Sequence, residues 1–253
     1  MTEAQTAHER TIPAKDRLIV ALDVSDRASA MEVIDRTAEY AGIYKVGLQL
    51  FTAAGPALVR ELCESGRKIF LDLKFHDIPN TAAKAGVEAA RLGVWMFNVH
   101  AAGGNEMMRK TVIEVSEFCG KSGLTVPKMI AVTVLTSSAD DAPHEIGIEG
   151  SAAAWADRLA SLSAAAGMDG VVASAHDAAR LRQTLGPERL IVTPGIRNAG
   201  ASIGDQRRVM SVSQALRAGA DHLVVGRPIT SAGDMTSAAR AIFEEIQSVC
   251  NEI

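Results

Sequence analysis

Eight short apolar runs, each followed by a stretch with helical periodicity, constrain the fold of this chain more than any other feature of its sequence. The runs cover residues 17–23, 43–47, 68–74, 94–100, 128–135, 170–174, 189–195 and 222–226. Strands that alternate with helices form parallel sheets, and continuous runs of Val, Ile and Leu are typical of a sheet covered on both faces. The pattern therefore predicts an α/β protein built on a parallel sheet.

The number of strand–helix units favours a closed barrel over an open sheet. Eight units fill nearly all of the 253 residues, and (β/α)8 barrels typically run to about 250 residues. No shift in composition and no linker rich in Ser or Pro divides the units. We therefore predict a single (β/α)8 TIM barrel over residues 16–253, preceded by a polar N-terminal tail over residues 1–15.

Composition argues against several classes of partner. A net charge of −4 and an aromatic content of 4% supply neither a basic field nor stacking surfaces for nucleic acid. No apolar run approaches the roughly 18 residues that predict a membrane-spanning helix, and the polar N-terminus lacks the apolar centre of a signal peptide. The three cysteines are scattered and the six histidines show no metal-ligand spacing. We expect a cytoplasmic protein that binds neither nucleic acid nor membrane and has no metal site.

Charged residues lie at or near the ends of the first three runs, and they are most concentrated in the segment LDLKFHDIPN at residues 71–80. Asp72 and Lys74 are two residues apart, so a regular strand directs both side chains to the same face. Asp23 and Lys45 fall at the same level of the barrel, and Lys45, Asp72, Lys74 and Asp77 together carry no net formal charge. Because the chemistry of such barrels lies at the carboxyl ends of the strands, we predict a site here rather than solvated strand ends. The flanking carboxylates favour a protonated Lys74, which makes it a candidate general acid.

A second group of residues suggests a phosphate site. The segment TPGIRNAGASIGDQRRV follows the seventh run and VVGRP ends the eighth, and the loops after these two strands often bind phosphate in barrels of this type. Arg197 and Arg227 offer forked donors, Gly226 permits close backbone approach and Gln206 adds a hydrogen-bond donor. The loop over residues 198–205 contains two glycines and is a candidate lid.

Three further polar residues have open interpretations. Thr136 in VLTSS follows the fifth run and is either a ligand contact or a plain turn residue. His100 ends the fourth run, where a hydrogen-bonded structural histidine is favoured over a catalytic one. His76 has no assigned role, because the alternation of faces is lost where the third strand ends.

Several motifs together resemble those of orotidine 5′-phosphate decarboxylases of the bacterial type. They are DLKFHDIPNT with its D-x-K-x-x-D pattern, VTVLTS, VTPGIR, GDQRR and VVGRPIT, and they follow the family's order from about residue 17 to residue 232. The D-x-K-x-x-D pattern alone is shared with related phosphosugar barrels. The accompanying segments make the resemblance specific.

The resemblance implies conversion of orotidine 5′-monophosphate to uridine 5′-monophosphate and carbon dioxide, the last step of de novo pyrimidine synthesis, without metal or organic cofactor. It implies that Lys74 is the proton donor to C6 and that Asp72 lies beside the substrate carboxylate, with Lys45 and Asp77 completing the charged network. The family is homodimeric with shared sites, so the resemblance also implies that Asp77 and Thr81 reach into the site of a partner subunit.

The resemblance assigns the remaining substrate contacts by group. The implied contacts are Asp23 and Lys45 to the ribose, Thr136 and Pro194 to the base, and Arg197, Gln206, Gly226 and Arg227 to the phosphate.

Two alternatives stay open from the sequence. A metal-dependent barrel of the same superfamily, such as a 3-keto-gulonate 6-phosphate decarboxylase or a hexulose phosphate synthase, shares the D-x-K-x-x-D pattern. A non-catalytic barrel that senses a nucleotide needs phosphate and base contacts but no buried proton donor, so the charged network argues against it.

Overall fold

The protein is described by a computed structural model over residues 12–136, 142–196 and 210–252. Its strands form one closed, parallel barrel in which each strand pairs with the next along the chain and the last pairs with the first. The strands are β1 (Leu18–Ala21), β2 (Ile43–Gly47), β3 (Lys68–Phe75), β4 (Met96–His100), β5 (Lys128–Val132), β6 (Gly170–Val172), β7 (Leu190–Pro194) and β8 (His222–Val225). Each lies within or overlaps one of the eight apolar runs, and the predicted TIM barrel is confirmed.

Helices follow the strands and cover the outside of the barrel. The described helices are α1 (Ala14–Arg17), α2 (Arg27–Thr37), α3 (Leu48–Glu64), α4 (Pro79–Arg91), α5 (Gly104–Ser122), α6 (Ala142–Glu145), α7 (Ala152–Ala165), α8 (Ala175–Leu185), α9 (Val212–Arg217), α10 (Arg227–Thr230) and α11 (Met235–Cys250). Among these described segments, none combines the length and the apolar character needed to cross a bilayer.

Local signals explain where the helices begin and which faces they bury. In α11, the Asp234 side chain accepts hydrogen bonds from the backbone N–H groups of Thr236 and Ser237, which satisfies donors that a helix start otherwise leaves without partners. Ile242 and Ile246 recur at helical spacing and are buried. Burying this stripe holds the helix against the rest of the fold.

The inside of the barrel is a packed apolar floor beneath the carboxyl ends of the strands. Inward-facing side chains from several strands form it, namely Ile19, Ile43, Phe70, Met96, Ile130, Leu190, Val192 and Val224. All are buried, as expected for the side-chain layers of such barrels. The floor leaves space for a ligand only above it, at the ends of the strands.

One irregularity interrupts the regular register, and it lies between β3 and β4. Leu71 pairs with Phe97 and Phe75 pairs with Val99, so three residues of β3, at positions 72–74, face the single residue Asn98 of β4. Such bulges redirect side chains next to functional sites. The D-x-K segment therefore sits on a bulge rather than on the regular strand that its spacing predicts.

Candidate active site

A cavity of about 270 Å³ opens at the carboxyl ends of the strands. Eight of the residues predicted from the sequence line it: Asp23, Lys45, Asp72, Lys74, Thr136, Pro194, Gly226 and Arg227. They come from the ends of several strands and from the loops that follow, which is where catalytic residues lie in barrels of this type. The fold thus brings together side chains that are more than 200 positions apart in the sequence.

Two lysines and two aspartates form a chain of ion pairs along one wall of the cavity. Lys45 Nζ lies 2.9 Å from Asp23 Oδ1 and 3.4 Å from Asp72 Oδ2. The Nζ of Lys74 donates to the other oxygen of Asp72, at 2.7 Å. Asp72 therefore holds both lysines at once, and its carboxylate lies between the two positive charges.

Burial and charge act in opposite directions on Lys45. Its side chain is only 10% exposed, and burial by itself disfavours the ammonium form. The carboxylates of Asp72 and Asp23 more than offset burial, and the pKa of Lys45 lies above its ordinary value. Lys45 is thus a fixed cation that orients the two carboxylates.

Asn98 also belongs to this network, although the sequence analysis did not single it out. It is 1% exposed, and its side-chain Nδ2 donates to Asp72 Oδ1 at 2.7 Å. Its Oδ1 accepts from the backbone N–H of Lys74 at 2.8 Å. The signal that could have revealed it is alternation along the fourth run, which places Met96, Asn98 and His100 on one face.

Lys74 has an unusual backbone conformation. Among the described residues other than glycine, it alone has a positive φ, at 53°. A side chain at such an angle typically costs about 1–2 kcal/mol, so surrounding contacts must hold the backbone in place. The bulge opposite Asn98 supplies this geometry and directs the ammonium group toward the cavity.

The opposite wall of the cavity is apolar. Its side chains include those of Val132, Val172, Pro194 and Ile196, and Thr136 adds one hydroxyl at the rim. An apolar wall facing a row of charges creates a slot for a flat polar ring, with the charged groups at one edge. Thr136 lines the cavity, and its contact with a ligand stays a prediction.

The predicted phosphate residues are described in part. Gly226 and Arg227 lie at the end of β8 and line the cavity, with Arg227 exposed to solvent. Arg197, Gln206 and the predicted lid over residues 198–205 lie outside the described residues. The forked guanidinium of Arg227 can bind phosphate at this edge.

Asp77 and Thr81 do not line the cavity of their own chain. Both are exposed at the start of α4, beside Ile78, which is 66% exposed. Asp77 Oδ1 accepts from the backbone N–H of Ile78 at 2.7 Å. Among the described residues of one chain, the ion-pair network therefore consists of Asp23, Lys45, Asp72 and Lys74.

His76 and His100 lie together beside the network. Their ring centroids are 5.6 Å apart, and neither is among the residues that line the cavity. Burial, followed by the nearby charges of His76 and Lys74, lowers the pKa of His100 below its ordinary value.

The carboxylates of the site are paired with lysine side chains. Lys45 already bridges the carboxylates of Asp23 and Asp72. In residues 12–136, 142–196 and 210–252, no cluster of three or more His, Cys, Asp or Glu side chains is placed to hold a metal ion.

Comparisons with known proteins place the chain in a family. Residues 16–242 match the model of the orotidine 5′-phosphate decarboxylase/HUMPS family. An orotidine 5′-phosphate decarboxylase of Moorella thermoacetica is 53% identical over 237 residues, which cover 93% of this chain and 94% of that protein. One from Sodalis glossinidius is 52% identical over 230 residues, covering 91% of this chain and 90% of the other. The crystal structure of orotidine 5′-phosphate decarboxylase from Lactobacillus acidophilus superposes with a TM-score of 0.80 at 35% identity, covering 91% of this chain and 99% of that one.

Proposed function

The chain belongs to the orotidine 5′-phosphate decarboxylase/HUMPS family, and we propose that it uses Lys74 to decarboxylate orotidine 5′-monophosphate. The products are uridine 5′-monophosphate and carbon dioxide, and the reaction completes de novo pyrimidine synthesis. The observation that carries the mechanism is the Lys74–Asp72 pair, 2.7 Å apart at the wall of the cavity.

The proposed chemistry is a decarboxylation followed by proton transfer. The bond between C6 and the carboxyl carbon breaks, carbon dioxide leaves, and the electron pair stays on C6. The Lys74 ammonium stabilises this developing negative charge and donates a proton to C6, which forms the new C–H bond. Lys74 is left neutral and regains its proton from solvent before the next turnover.

Asp72 and Lys45 prepare the site for this step. In the proposed complex the substrate carboxylate lies beside Asp72, so two negative charges repel each other until carbon dioxide leaves. Lys45 binds Asp72 and Asp23 and keeps Asp72 fixed while this repulsion acts. A preorganised charge pattern of this kind costs no rearrangement at the moment of reaction.

The remaining contacts hold the ribose, base and phosphate of the nucleotide in position. Asp23 and Lys45 bind the ribose hydroxyls, Thr136 and Pro194 contact the base, and Gly226 and Arg227 bind the phosphate together with Arg197 and Gln206. The phosphate contacts are remote from C6, so their binding energy can stabilise the reactive arrangement and appear in the rate.

The experiment that tests this function follows the ultraviolet absorbance of orotidine 5′-monophosphate after mixing with EDTA-treated protein. Chromatography then identifies the product. Conversion to uridine 5′-monophosphate is expected, with the same rate before and after chelation, because the proposed mechanism uses only side chains. No conversion by folded protein, together with divalent-ion-dependent turnover of a sugar phosphate, would transfer the site to the metal-dependent sugar-phosphate reaction. Binding without turnover would indicate a nucleotide sensor.

We also propose that the enzyme is a homodimer whose sites are shared across the interface. Asp77 and Thr81 are exposed in the single chain, and the neighbouring Ile78 exposes 66% of its surface. Single exposed apolar residues are common on protein surfaces, so the support for the dimer is the family resemblance, in which Asp77 and Thr81 reach into a partner's site. In the proposed dimer, Asp77 completes the charged network of the partner subunit and Thr81 reaches into the same site.

Mixing two inactive variants tests the shared site. Each Lys74→Ala/Asp77→Ala hybrid dimer contains one site with both residues intact, so an equal mixture is expected to recover about a quarter of the wild-type activity by random pairing. Subunit exchange is verified by mass spectrometry of tagged chains. Failure to recover activity in verified hybrids would contradict a contribution of Asp77 across the interface.

We propose that the enzyme works in the cytoplasm on a free nucleotide and not on nucleic acid. Cys63, Cys119 and Cys250 are free thiols, as is usual in a reducing compartment. The net charge of −4 provides no general attraction for a polyanion.

A further inference from the structure

The bulge in β3 leaves one side chain on β4 in a position to control the proposed proton donor. Residues 72–74 face only Asn98 across the β3–β4 ladder. The ladder there is interrupted, so backbone groups of the bulge need partners other than the neighbouring strand. The Asn98 side chain supplies one of them.

We propose that Asn98 is a positioning residue that sets the geometry of Lys74 relative to Asp72, which rests on the proposed function of these two residues. Asn98 Oδ1 accepts from Lys74 N at 2.8 Å, and Asn98 Nδ2 donates to Asp72 Oδ1 at 2.7 Å. The same Asp72 oxygen accepts from Lys74 Nζ at 2.7 Å. One amide therefore joins both ends of Lys74, its backbone directly and its ammonium group through Asp72.

The chemistry of the two partners fixes the orientation of the Asn98 amide. The backbone N–H of Lys74 is a donor, so it must face the amide oxygen. The Asp72 carboxylate is an acceptor, so it must face the amide nitrogen. No other neutral side chain of this size offers a donor and an acceptor on one flat group. An aspartate in its place could make both hydrogen bonds only when its carboxyl group is protonated.

The strained backbone of Lys74 shows why the two hydrogen bonds of Asn98, called here the Asn98 clamp, are needed. Lys74 has a φ of 53°, which side chains other than glycine rarely adopt. Asn98 is 1% exposed, so water cannot replace its hydrogen bonds. Without the amide, the bulge can relax toward a regular strand, which would displace the Lys74 ammonium from its position beside Asp72.

Asn98 acts through Lys74 and Asp72, since it is absent from the residues that line the cavity. Its removal is therefore expected to affect the reaction and not substrate binding. In Asn98→Leu, kcat should fall about 100-fold, the usual consequence of displacing a catalytic group by about 1 Å. KM should stay within about threefold of wild type, because the phosphate and ribose contacts are unchanged.

Asn98→Asp provides a test that a merely structural role would not pass. Its carboxylate would lie next to Asp72, and like charges raise the pKa of one member of such a pair. When protonated, the new carboxyl group can again accept from Lys74 N and donate to Asp72. The ratio of its kcat to that of wild type should therefore rise about tenfold or more as the pH falls from about 8 to about 5.5.

The wild-type profile serves as the reference for the other charged groups that face this position. These are Lys45, Lys74, Asp72, His76 and His100. All of them are present in both proteins, so the ratio reports the group introduced at position 98 together with its coupling to Asp72 and the other neighbours.

Thr111→Val is the matched control for loss of a buried hydrogen bond. Thr111 is fully buried on α5, and its Oγ1 donates to the carbonyl oxygen of Met107 at 2.8 Å. This variant should lower the melting temperature without changing kcat. A kcat for Asn98→Leu within threefold of wild type, or a constant kcat ratio for Asn98→Asp across the pH range, would overturn the assignment.

A crystal structure of Asn98→Leu separates this inference from the proposed function. Relaxation of Lys74 to a negative φ supports the clamp even if the wild-type protein fails to decarboxylate the nucleotide, whereas an unchanged φ overturns it. If Asn98→Leu does not fold, Asn98→Asp and Asn98→Ser decide the question in the same assays. Asn98→Ser is expected to lower kcat and to leave KM unchanged.

Discussion

Charged pairs at the two ends of the barrel are bonded in different ways. At the carboxyl end, the bonds that Asp72 makes within the described residues come from side chains, including Lys74 at 2.7 Å, and Lys45 lies 3.4 Å away. At the amino end, one oxygen of Asp221 accepts from the backbone N–H of Ile191 at 2.8 Å. At the carboxyl end the charges lie beside a cavity, whereas at the amino end a carboxylate binds the backbone of a neighbouring strand.

The same use of charge recurs around the amino end. Asp169 accepts from the backbone N–H of Met129 at 2.8 Å and pairs with Lys128 at 3.1 Å. Asp221 pairs with Arg182 at 2.6 Å. Carboxylates that satisfy backbone donors stabilise the closed sheet. The comparison predicts that substitutions at the carboxyl end remove turnover, whereas those at the amino end remove stability.

The first test of this division is Asp72→Asn, whose effect on turnover is expected to be large. The variant keeps the shape of the side chain but removes the charge between the two lysines, and kcat/KM should fall about 1,000-fold, or about 4 kcal/mol of transition-state stabilisation. Asp23 remains as a partner of Lys45, so the free energy of unfolding should change by less than about 2 kcal/mol. Steady-state kinetics and urea unfolding measure the two quantities. A loss of turnover explained by the unfolded fraction alone would break the division.

Arg227→Ala sharpens the comparison within the carboxyl end by separating binding from chemistry. Loss of its contact with a phosphate dianion should lower kcat/KM for orotidine 5′-monophosphate about 100-fold. Turnover of orotidine, which lacks the phosphate, should be nearly unchanged. Arg240→Ala, at an exposed position of α11, is the control for general loss of positive charge. An equal loss on both substrates would contradict the phosphate assignment.

Asp221→Asn tests the amino end. Losing a charged acceptor that serves both Arg182 and the backbone of Ile191 should lower the free energy of unfolding by about 2 kcal/mol. Turnover per folded molecule should remain within about threefold of wild type, because the site is at the other end of the strands. Asp35→Asn is the matched control, since that carboxylate is 70% exposed and pairs with Arg67 at 4.0 Å; its cost should be below about 0.5 kcal/mol.

The pH dependence of stability provides the smallest effect, through His222 at the amino end of β8. This side chain is 2% exposed and bonds the carbonyl oxygen of Asp16 through Nδ1 at 2.8 Å. Burial lowers the pKa of His222 below its ordinary value of 6.5, with Arg17 acting in the same direction and Asp16 and Asp221 opposing it. Below about pH 6.5 the unfolded chain therefore binds a proton that the folded chain does not, and stability falls by at most about 1.4 kcal/mol per pH unit.

Urea unfolding of wild type and His222→Gln between about pH 8 and about pH 5 measures this contribution. The variant should be less stable at neutral pH and should lose stability less steeply on acidification. His100 also has a lowered pKa and contributes the same sign in both proteins, so the difference between them belongs to His222. Identical slopes would show that His222 is not the group responsible.

The eight strands could be predicted from the sequence because buried parallel strands require continuous apolar runs. The errors lie at strand ends, where apolar residues continue beyond the last residue of the strand. The first predicted run extends to residue 23, whereas β1 ends at Ala21; the fifth extends to residue 135, whereas β5 ends at Val132. Asp23 and Thr136 are therefore placed by loops that leave the strands toward the cavity.

The fine geometry of the site could not be predicted from spacing. The alternation of a regular strand brings Asp72 and Lys74 to one face, but the bulge and the positive φ of Lys74 depend on pairing with β4, which is distant in sequence. The role of Asn98 could not be predicted for the same reason, since one amide in an apolar run acquires a role only through the residues that it contacts. Asp77 and Thr81 are a different case, because their proposed role depends on a partner subunit and not on contacts within one chain.

Turnover by Lys74→Ala, measured beside Lys128→Ala, tests the central claim most directly. The substitution is the same at the two ends of the barrel, and each lysine pairs with an aspartate, Asp72 or Asp169. Lys74→Ala should lose about 10,000-fold or more in turnover of orotidine 5′-monophosphate while remaining folded, and Lys128→Ala should stay within about threefold of wild type. Activity of folded Lys74→Ala within tenfold of wild type would contradict its role as the proton donor.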